Sequence, residues 1–153
     1  MSEADKQLRE ADKALSEADK QSVIDAALAA REQSIAPFSH FLVGAAVRTD
    51  TGKIFTGCNI ESASYGLTVC AERVAIWKAL SEGERNFTNL AIAVDTQTLT
   101  PPCGTCRQII WEFAKHADIV MVNLRDERET VHIENLLPRA FDARFLKEVS
   151  SKK

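Results

Sequence analysis

Three cysteines and one glutamate form the pattern with the clearest chemical meaning in this sequence. Glu72 follows two residues after Cys70, and Cys103 and Cys106 form a Cys-x-x-Cys pair in a later segment. Three thiols at these spacings can hold one tetrahedral zinc ion and leave its fourth position open, as catalytic zinc sites do. Glu72 can then contact a water molecule at the open position without acting as a ligand. The pattern therefore favours a metal-activated water beside a carboxylate.

Other interpretations of the same residues stay open at this point. A Cys-x-x-Cys pair alone can equally serve redox chemistry or a structural role. Cys58 could supply a fourth sulfur and close the site, or it could be a small buried residue on a strand. Glu72 could be an ordinary surface charge on an amphipathic helix. The joint occurrence of Cys70, Glu72 and the Cys103/Cys106 pair favours an open zinc site over these alternatives.

The predicted secondary structure places the thiols at the starts of two helices. One helix is predicted over Cys70–Ser81, with Gly83 as its stop, and another over Gly104–Lys115. Unpaired N–H groups and the positive end of the dipole at a helix N-terminus favour thiolate, the form that binds metal. Three thiolates leave excess negative charge on a zinc site. We expect Arg73 to offset it through hydrogen bonds to the cysteine sulfurs.

The remaining apolar patterns predict an α/β protein with a mixed sheet. The predicted strands are a hairpin of Phe41–Thr49 and Ile54–Cys58, two buried strands at Leu90–Val94 and Ile119–Asn123, and a weaker strand at Thr130–Ile133. The other predicted helices are a first helix over about Gln21–Gln33 and a last helical region over Ile133–Val149, interrupted at Pro138.

Length and composition are typical of one globular domain. The chain has 153 residues, of which 45% are hydrophobic and 27% charged, and no apolar run is long enough for a membrane helix. The N-terminal residues lack the pattern of a secretory signal, so we expect a cytoplasmic protein whose cysteines are thiols or metal ligands. The net charge of -3 gives no general attraction to a polyanion. We therefore expect neither a nucleic-acid nor a membrane partner.

The first 20 residues carry an internal repeat. Glu-Ala-Asp-Lys occurs at 3–6, 10–13 and 17–20, and small or apolar residues recur at alternating spacings of four and three on one helical face: Ala4, Leu8, Ala11, Leu15 and Ala18. This pattern predicts a helical extension over 1–20 ahead of a catalytic domain over 21–150. The extension could be a solvated helix, or it could associate with itself or with a partner.

Four motifs closely resemble the homotetrameric cytidine deaminases: Phe41-Leu42-Val43-Gly44-Ala45-Ala46, Gly57-Cys58-Asn59-Ile60-Glu61, Cys70-Ala71-Glu72-Arg73 and Pro102-Cys103-Gly104-Thr105-Cys106-Arg107-Gln108. Leu136-Leu137-Pro138 and Phe141 are similar to that family's C-terminal signature. The resemblance covers about residues 36–145 and excludes the repeat. It implies a three-layer α/β/α sandwich with a mixed five-stranded sheet. It also implies a homotetramer whose active sites borrow residues from neighbouring subunits.

The resemblance further implies a role for each matched residue. The implied zinc ligands and proton shuttle are Cys70, Cys103, Cys106 and Glu72. The implied substrate-binding residues include Phe41 stacked on the pyrimidine, Asn59 and Glu61 on the sugar 3′-hydroxyl, and Ala71. Ala63 and Tyr65 match a loop that completes a neighbour's pocket, and Phe141 matches an aromatic residue that covers it. From the sequence alone, Asn59 could also be a turn residue, and Phe41 could pack in the core.

The activity implied by the resemblance is zinc-dependent hydrolytic deamination of cytidine and deoxycytidine, a pyrimidine salvage reaction. Zinc nucleobase deaminases combine an activated water with a non-ligand glutamate in this way. The alternatives are a deaminase of another aminopyrimidine nucleoside analogue such as blasticidin S, a polynucleotide-editing deaminase, and a non-enzymatic zinc scaffold. Asn59 and Glu61 argue against the first, the acidic balance argues against the second, and the third needs a fourth protein ligand.

The chain departs from common family residues at three places. Phe38 stands where Tyr is common, Gly66 stands where Pro is common, and Asp142-Ala143 replaces a frequent Gly-Pro after Phe141. The last departure concerns the path of the C-terminal segment. None of the three affects the cysteines or Glu72.

Overall fold

The computed structural model describes residues 16–150, with side chains described as far as residue 147. Residues 1–15, which hold most of the repeat, lie outside this range. The elements are α1 (Glu17–Arg31), β1 (Val43–Thr49), β2 (Ile54–Cys58), a 3-10 turn (Tyr65–Leu67), α2 (Ala71–Ser81), β3 (Phe87–Val94), α3 (Gly104–Phe113), β4 (Asp118–Val122), β5 (Arg128–Val131), α4 (Ile133–Leu136) and α5 (Ala143–Ser150). Within the described part of the chain, every helix is too short or too polar to cross a bilayer.

The five strands form one mixed sheet, as predicted. Their order is β2-β1-β3-β4-β5. Strand β1 is antiparallel to both β2 and β3, β3 is parallel to β4, and β4 is antiparallel to β5. Because β2 and β3 both run opposite to β1, they share one direction. Their carboxyl ends therefore meet the start of β1 at the same edge of the sheet, which we call the functional edge.

Helices cover both faces of the sheet, and the three-layer prediction is confirmed. Helix α1 packs Val23, Ile24 and Ala27 against small and β-branched residues on one face. Helices α2 and α3 pack against the other face, around a core that includes Ile76 and Ile110. Each helix buries an apolar stripe and leaves polar side chains outside, which is the usual way in which an α/β sandwich forms its core.

Helix α1 begins at Glu17, earlier than the predicted start near Gln21. The side chain of Ser16 accepts a hydrogen bond from the backbone N–H of Asp19 at 3.1 Å, and the Asp19 carboxylate accepts from the backbone N–H of Ser16 at 3.3 Å. This reciprocal capping satisfies N–H groups that a helix start leaves unpaired. The last copy of the repeat, Glu17–Lys20, therefore belongs to α1. The division into 1–20 and 21–150 stays a prediction.

Other predicted boundaries differ by a few residues. Strand β1 begins at Val43 rather than Phe41, and β3 begins at Phe87 rather than Leu90. Strand β5 spans Arg128–Val131, two residues before the predicted segment, because residues 123–127 form a tight turn in which the Asn123 side chain accepts from two backbone N–H groups. The predicted interruption at Pro138 separates α4 from α5.

Candidate zinc and substrate site

The functional edge brings two helix N-termini together. The segment after β2 leads to Cys70, the N-cap of α2, and the segment after β3 leads to Cys103, the N-cap of α3. Cys106 lies in the first turn of α3 and is buried. Both helices lie on the same face of the sheet. Residues that are far apart in sequence therefore meet because β2 and β3 run in the same direction.

The three sulfurs are spaced as a zinc ion requires. The Sγ atoms of Cys70, Cys103 and Cys106 all lie within 4.8 Å of one another, and those of Cys70 and Cys103 are 3.8 Å apart. Zn–S bonds of about 2.3 Å in a tetrahedron place two sulfurs about 3.8 Å apart. A set of three thiols is also chemically suited to zinc. The residues present therefore fit the ion.

Cys58 does not belong to this cluster. Its Sγ donates to the backbone carbonyl of Gln33 at 3.2 Å, and the residue is half-buried on β2. Among residues 16–150, the group of potential metal ligands contains only Cys70, Cys103 and Cys106. The described residues thus offer three sulfurs and no fourth, so a zinc ion held here would keep one position for a water molecule or a substrate.

Hydrogen bonding favours thiolate at Cys70. The Cys106 thiol is the main cause that holds the pKa of Cys70 below its ordinary value, and the nearby Arg73 guanidinium lowers that pKa further. Arg73 Nη2 lies 4.0 Å from the Cys70 sulfur and donates to the Thr68 carbonyl at 3.1 Å. The guanidinium also lies 5.5 Å from the centroid of the Trp77 ring. Arg73 is therefore held beside the sulfurs from two sides.

Glu72 is a buried carboxyl group in the first turn of α2. It is only 4% exposed, so it is not a surface charge. Burial raises the pKa of Glu72 to about 7. A carboxyl group with a pKa near neutral can both take up and release a proton at physiological pH, which is what general acid–base catalysis needs.

A cavity of about 180 Å³ opens onto this cluster. Six of the predicted site residues line it: Phe41, Asn59, Cys70, Ala71, Glu72 and Cys103. Its other walls were not predicted: Val43, Thr68, Val69, Ile92, Val94, Thr100 and Pro101. The apolar strand residues among them carry no sequence signal that separates a pocket wall from core. Pro101 precedes the Pro102-Cys103 motif, so its place beside the cluster could have been inferred.

Asn59 connects β2 to the segment that enters β1. Its Nδ2 donates to the Phe41 carbonyl at 2.8 Å, and its Oδ1 accepts from the Val43 N–H at 2.9 Å. The side chain is 9% exposed. Asn59 therefore fixes the backbone of Phe41, whose ring lines the cavity. Asn59 is therefore more than a turn residue, because its side chain joins two segments. Phe41 is not a core residue, because it is 44% exposed.

The chain is similar to known proteins over most of its length. Residues 17–123 match the family described as the cytidine and deoxycytidylate deaminase zinc-binding region. The chain belongs to this deaminase family. A cytidine deaminase from Halalkalibacterium halodurans is 43% identical over 125 residues, which cover 81% of this chain and 95% of that protein.

Solved structures of cytidine deaminases are also similar to the structure of this chain. The crystal structure of cytidine deaminase from Burkholderia pseudomallei superposes with a TM-score of 0.77 at 44% identity and covers 79% of this chain and 98% of that one. A blasticidin-S deaminase from Bacillus cereus is more remote, with 35% identity over 104 residues that cover 63% of this chain and 74% of that protein. The predicted fold and the predicted zinc cofactor of this deaminase-family site are confirmed.

Glu61 and Tyr65 lie next to the deaminase-family pocket rather than in it. Together with Phe38, Ser39 and Thr68 they line a depression of about 400 Å³. Thr68 also lines the cavity at the cysteines, so the two spaces share a wall. Ala63 is exposed on the segment between Glu61 and Tyr65.

Phe141 lies away from the cysteine cavity. Its ring stacks on Phe145 with centroids 5.6 Å apart, and its carbonyl accepts from Gln108 Nε2 at 2.8 Å. The next residue, Asp142, accepts hydrogen bonds from Trp111 Nε1 at 3.3 Å and from the Arg144 backbone at 2.9 Å. A single chain thus places Phe141, Ala63 and Tyr65 outside the cavity that contains Glu72.

Proposed function

We propose that this protein is a zinc-dependent cytidine deaminase that converts cytidine and deoxycytidine to uridine and deoxyuridine with release of ammonia. The observation that carries the proposal is the position of Glu72, which is buried in the same cavity as two of three converging thiols. Membership of the deaminase family and the 43% identical cytidine deaminase from Halalkalibacterium halodurans support it.

The proposed zinc ligands are Cys70, Cys103 and Cys106, and the proposed proton shuttle is Glu72. Zinc supplies the nucleophile when bound, because it lowers the pKa of water enough to give hydroxide at neutral pH. Glu72 takes the proton that the water loses and gives it to ring N3, which makes C4 more electrophilic. The same carboxyl group then moves the proton of the new C4 hydroxyl to the departing amine. A C4–O bond replaces the C4–N bond, and ammonia leaves.

The proposed substrate contacts follow the walls of the two neighbouring spaces. Phe41 offers an aromatic face for the pyrimidine, and Ala71 lies beside it in the cavity. Asn59 and Glu61 are proposed to bind the sugar 3′-hydroxyl. Asn59 is buried and Glu61 half-buried, so a ligand without the hydroxyl leaves a remaining acceptor position of this desolvated pair unfilled, which costs binding free energy. The carboxylate of Glu61 also disfavours a nearby phosphate, so a nucleoside is preferred to a nucleotide.

We propose that the active form is a homotetramer in which neighbours complete each site. Phe38, Tyr65 and Leu67 are 52%, 79% and 75% exposed, and the first two rings contact each other with centroids 6.2 Å apart. Exposed apolar groups of this kind mark interaction surfaces. On this proposal Ala63 and Tyr65 reach a neighbour's pocket and Phe141 covers a pocket. Light scattering on a sizing column measures the mass directly, and a monomer that is fully active would contradict the proposal.

We also propose that the protein works in the cytoplasm, because its four cysteines form no disulfide with one another, and reduced or metal-binding cysteines are typical of reducing compartments. The alternative substrate, blasticidin S, has the weaker support, since the blasticidin-S deaminase from Bacillus cereus matches only 63% of this chain. Glu61, which is proposed to bind a ribose hydroxyl, also has no such group to bind in that antibiotic.

The test combines substrates with one variant. Purified zinc-loaded protein is assayed with cytidine, deoxycytidine, cytidine monophosphate and blasticidin S by the absorbance change on loss of the amine. We expect turnover of the two nucleosides and little of the other two. Glu72→Gln should retain zinc and lose at least about 10²-fold in kcat, the scale of acid–base catalysis. Glu82→Gln, at the exposed end of the same helix, is the matched control and should behave as the parent. Parent-like turnover by Glu72→Gln rules out the mechanism.

A further inference from the structure

The carboxylate of Glu61 is held by the segment that precedes β1. Its Oε2 accepts from the backbone N–H of Phe38 at 2.9 Å and of Ser39 at 3.2 Å. Its Oε1 accepts a short hydrogen bond from the Ser39 hydroxyl. A carboxylate has about four acceptor positions, two on each oxygen. Both positions of Oε2 are therefore used, and a single position on Oε1 is left for a ligand.

The Ser39 hydroxyl makes a second hydrogen bond that leads to the base-binding side of the pocket. While it donates to Glu61, its oxygen accepts from the backbone N–H of Phe41 at 3.0 Å. The Phe41 carbonyl is fixed in turn by Asn59 Nδ2. Ser39 thus connects the Glu61 carboxylate, which lines the depression of about 400 Å³, to the backbone of Phe41, which lines the cavity at the cysteines.

The backbone conformation at His40 makes this double contact possible. His40 has a φ of 57°, in the left-handed region, and its N–H donates to the Ala36 carbonyl at 3.0 Å. A non-glycine residue in this region is strained and persists only where its surroundings hold it. The turn directs the side chain of Ser39 and the N–H of Phe41 toward each other. The two hydrogen bonds of Ser39 are among the contacts that hold it.

Glu61 is also fixed through its own backbone. Its N–H donates to the Ile35 carbonyl at 2.8 Å, and the neighbouring Ile60 pairs with Val69. With the main chain fixed, the remaining freedom of Glu61 is rotation of its side chain. The hydrogen bond from Ser39 is the main cause that holds the pKa of Glu61 below its ordinary value, which keeps it charged at neutral pH.

We propose that Ser39 is a positioning residue for sugar recognition: it fixes the rotation of Glu61 so that Oε1 presents one acceptor to the 3′-hydroxyl of the nucleoside, in register with the Phe41 ring. This inference rests on the proposed function, in which Glu61 binds that hydroxyl. It adds that the discrimination does not come from Glu61 alone. Without the Ser39 hydroxyl the carboxylate keeps its charge and the two backbone partners of Oε2, but Oε1 is no longer held in one orientation.

The test measures binding of two product analogues that differ only in the 3′-hydroxyl. Dissociation constants of 2′-deoxyuridine and 2′,3′-dideoxyuridine are measured by calorimetry on zinc-loaded parent, Ser39→Ala and Ser39→Thr. In the parent, deoxyuridine should bind more tightly. In Ser39→Ala, that preference should fall roughly ten-fold, the effect of losing one hydrogen bond to a charged group. Dideoxyuridine, which is affected only through the lost hydrogen bond to the Phe41 N–H, should weaken by much less than deoxyuridine. Ser39→Thr keeps the hydroxyl and should restore the preference.

The control and the contrary outcomes are separate from the test of activity. Ser22→Ala removes an exposed hydroxyl on α1 that bonds only its own helix at 2.6 Å, and it should leave both constants unchanged. Equal weakening of both analogues in Ser39→Ala, or no change in either, overturns the proposal. If Ser39→Ala does not fold, Ser39→Cys replaces it, since a thiol is nearly the same size but a weak donor. If the parent neither binds the analogues nor deaminates deoxycytidine, the proposed function itself fails, whatever Ser39 does.

Discussion

Replacing Gly57 with alanine should move the helix that carries Cys70 and Glu72. Gly57 lies on β2, where the backbone of α2 rests directly on the strand. A Cβ added at Gly57 would lie 2.4 Å from the Ala71 carbonyl oxygen and 2.5 Å from the Ala75 nitrogen. Both atoms belong to the main chain of α2. No side-chain rotation can relieve the contact, so the helix must shift as a unit.

The size of the effect follows from these distances. Ordinary contact begins at 3.4 Å, so the first turns of α2 must move away by about 1 Å. Extra volume in a well-packed site costs about 1–3 kcal/mol, and a clash with main chain belongs at the upper end of that range. A displacement of about 1 Å at a catalytic group can lower the rate by about 10²-fold. We therefore expect Gly57→Ala to lose about 3 kcal/mol of stability and most of its activity.

Gly44→Ala is the matched comparison. A Cβ at Gly44 would lie 2.0 Å from the Ala27 carbonyl oxygen and 2.4 Å from the Arg31 nitrogen, both in α1 on the opposite face of the sheet. This variant should be destabilised at least as strongly, yet it should leave α2 in place. In Gly66→Ala the added Cβ meets nothing within 4 Å, so the stability of the single chain should be unchanged.

The assays are urea unfolding for stability, competition with a chelator for zinc affinity, and turnover of cytidine below the unfolding transition. Among the folded molecules, Gly57→Ala should bind zinc more weakly and turn over more slowly than Gly44→Ala. Parent-like zinc affinity and turnover in Gly57→Ala, or equal losses in the two variants, would show that the close contact of α2 with β2 does not set the site geometry.

Two further variants test the surroundings of the metal. Arg73→Gln should keep zinc but lower its affinity by about 10–100-fold, the range for residues that support metal ligands. It should also shift the pH–rate curve, and unchanged affinity and pH profile would refute the proposed charge offset. Cys58→Ser should leave one zinc per chain and full turnover, because its sulfur contacts the Gln33 carbonyl rather than the cluster. If elemental analysis shows that this variant has lost its zinc, the result would instead support a structural site with four sulfur ligands.

The parts of the site that could be predicted from sequence are those with local signals. The three thiols and Glu72 lie at or near the starts of two helices, and short sequence motifs mark both places. The helices and the proposed zinc chemistry could therefore be predicted from local sequence. The early start of α1 also had a local signal, the Ser16/Asp19 pair three residues apart, which the repeat obscured. The early start of β3 had none, because Thr88 and Asn89 are polar residues buried inside a strand.

The unpredicted parts depend on contacts between distant segments. Ser39 precedes the β1–β2 hairpin and Glu61 follows it, so no local sequence pattern predicts the hydrogen bond between their side chains. Thr68 separates two spaces only because the segment before α2 folds back along Ile60. Phe141 illustrates a different limit. One chain places it on Phe145, and its proposed role depends on neighbouring subunits.

The chemistry of Glu72 can be traced to the small residues around it. Ala71, Ala75 and Ala79 are fully buried on the face of α2 that meets the sheet. Together with Gly57 on β2, they allow the helix backbone to approach the strand more closely than larger side chains permit. A close helix carries its first turn deep into the functional edge, and this depth leaves Glu72 only 4% exposed to bulk solvent. This burial raises the pKa of Glu72 to about 7. A carboxylate on a more distant helix would be solvated and its pKa would stay near the ordinary value, so it would be a weaker base for the water proton that the proposed mechanism assigns to Glu72.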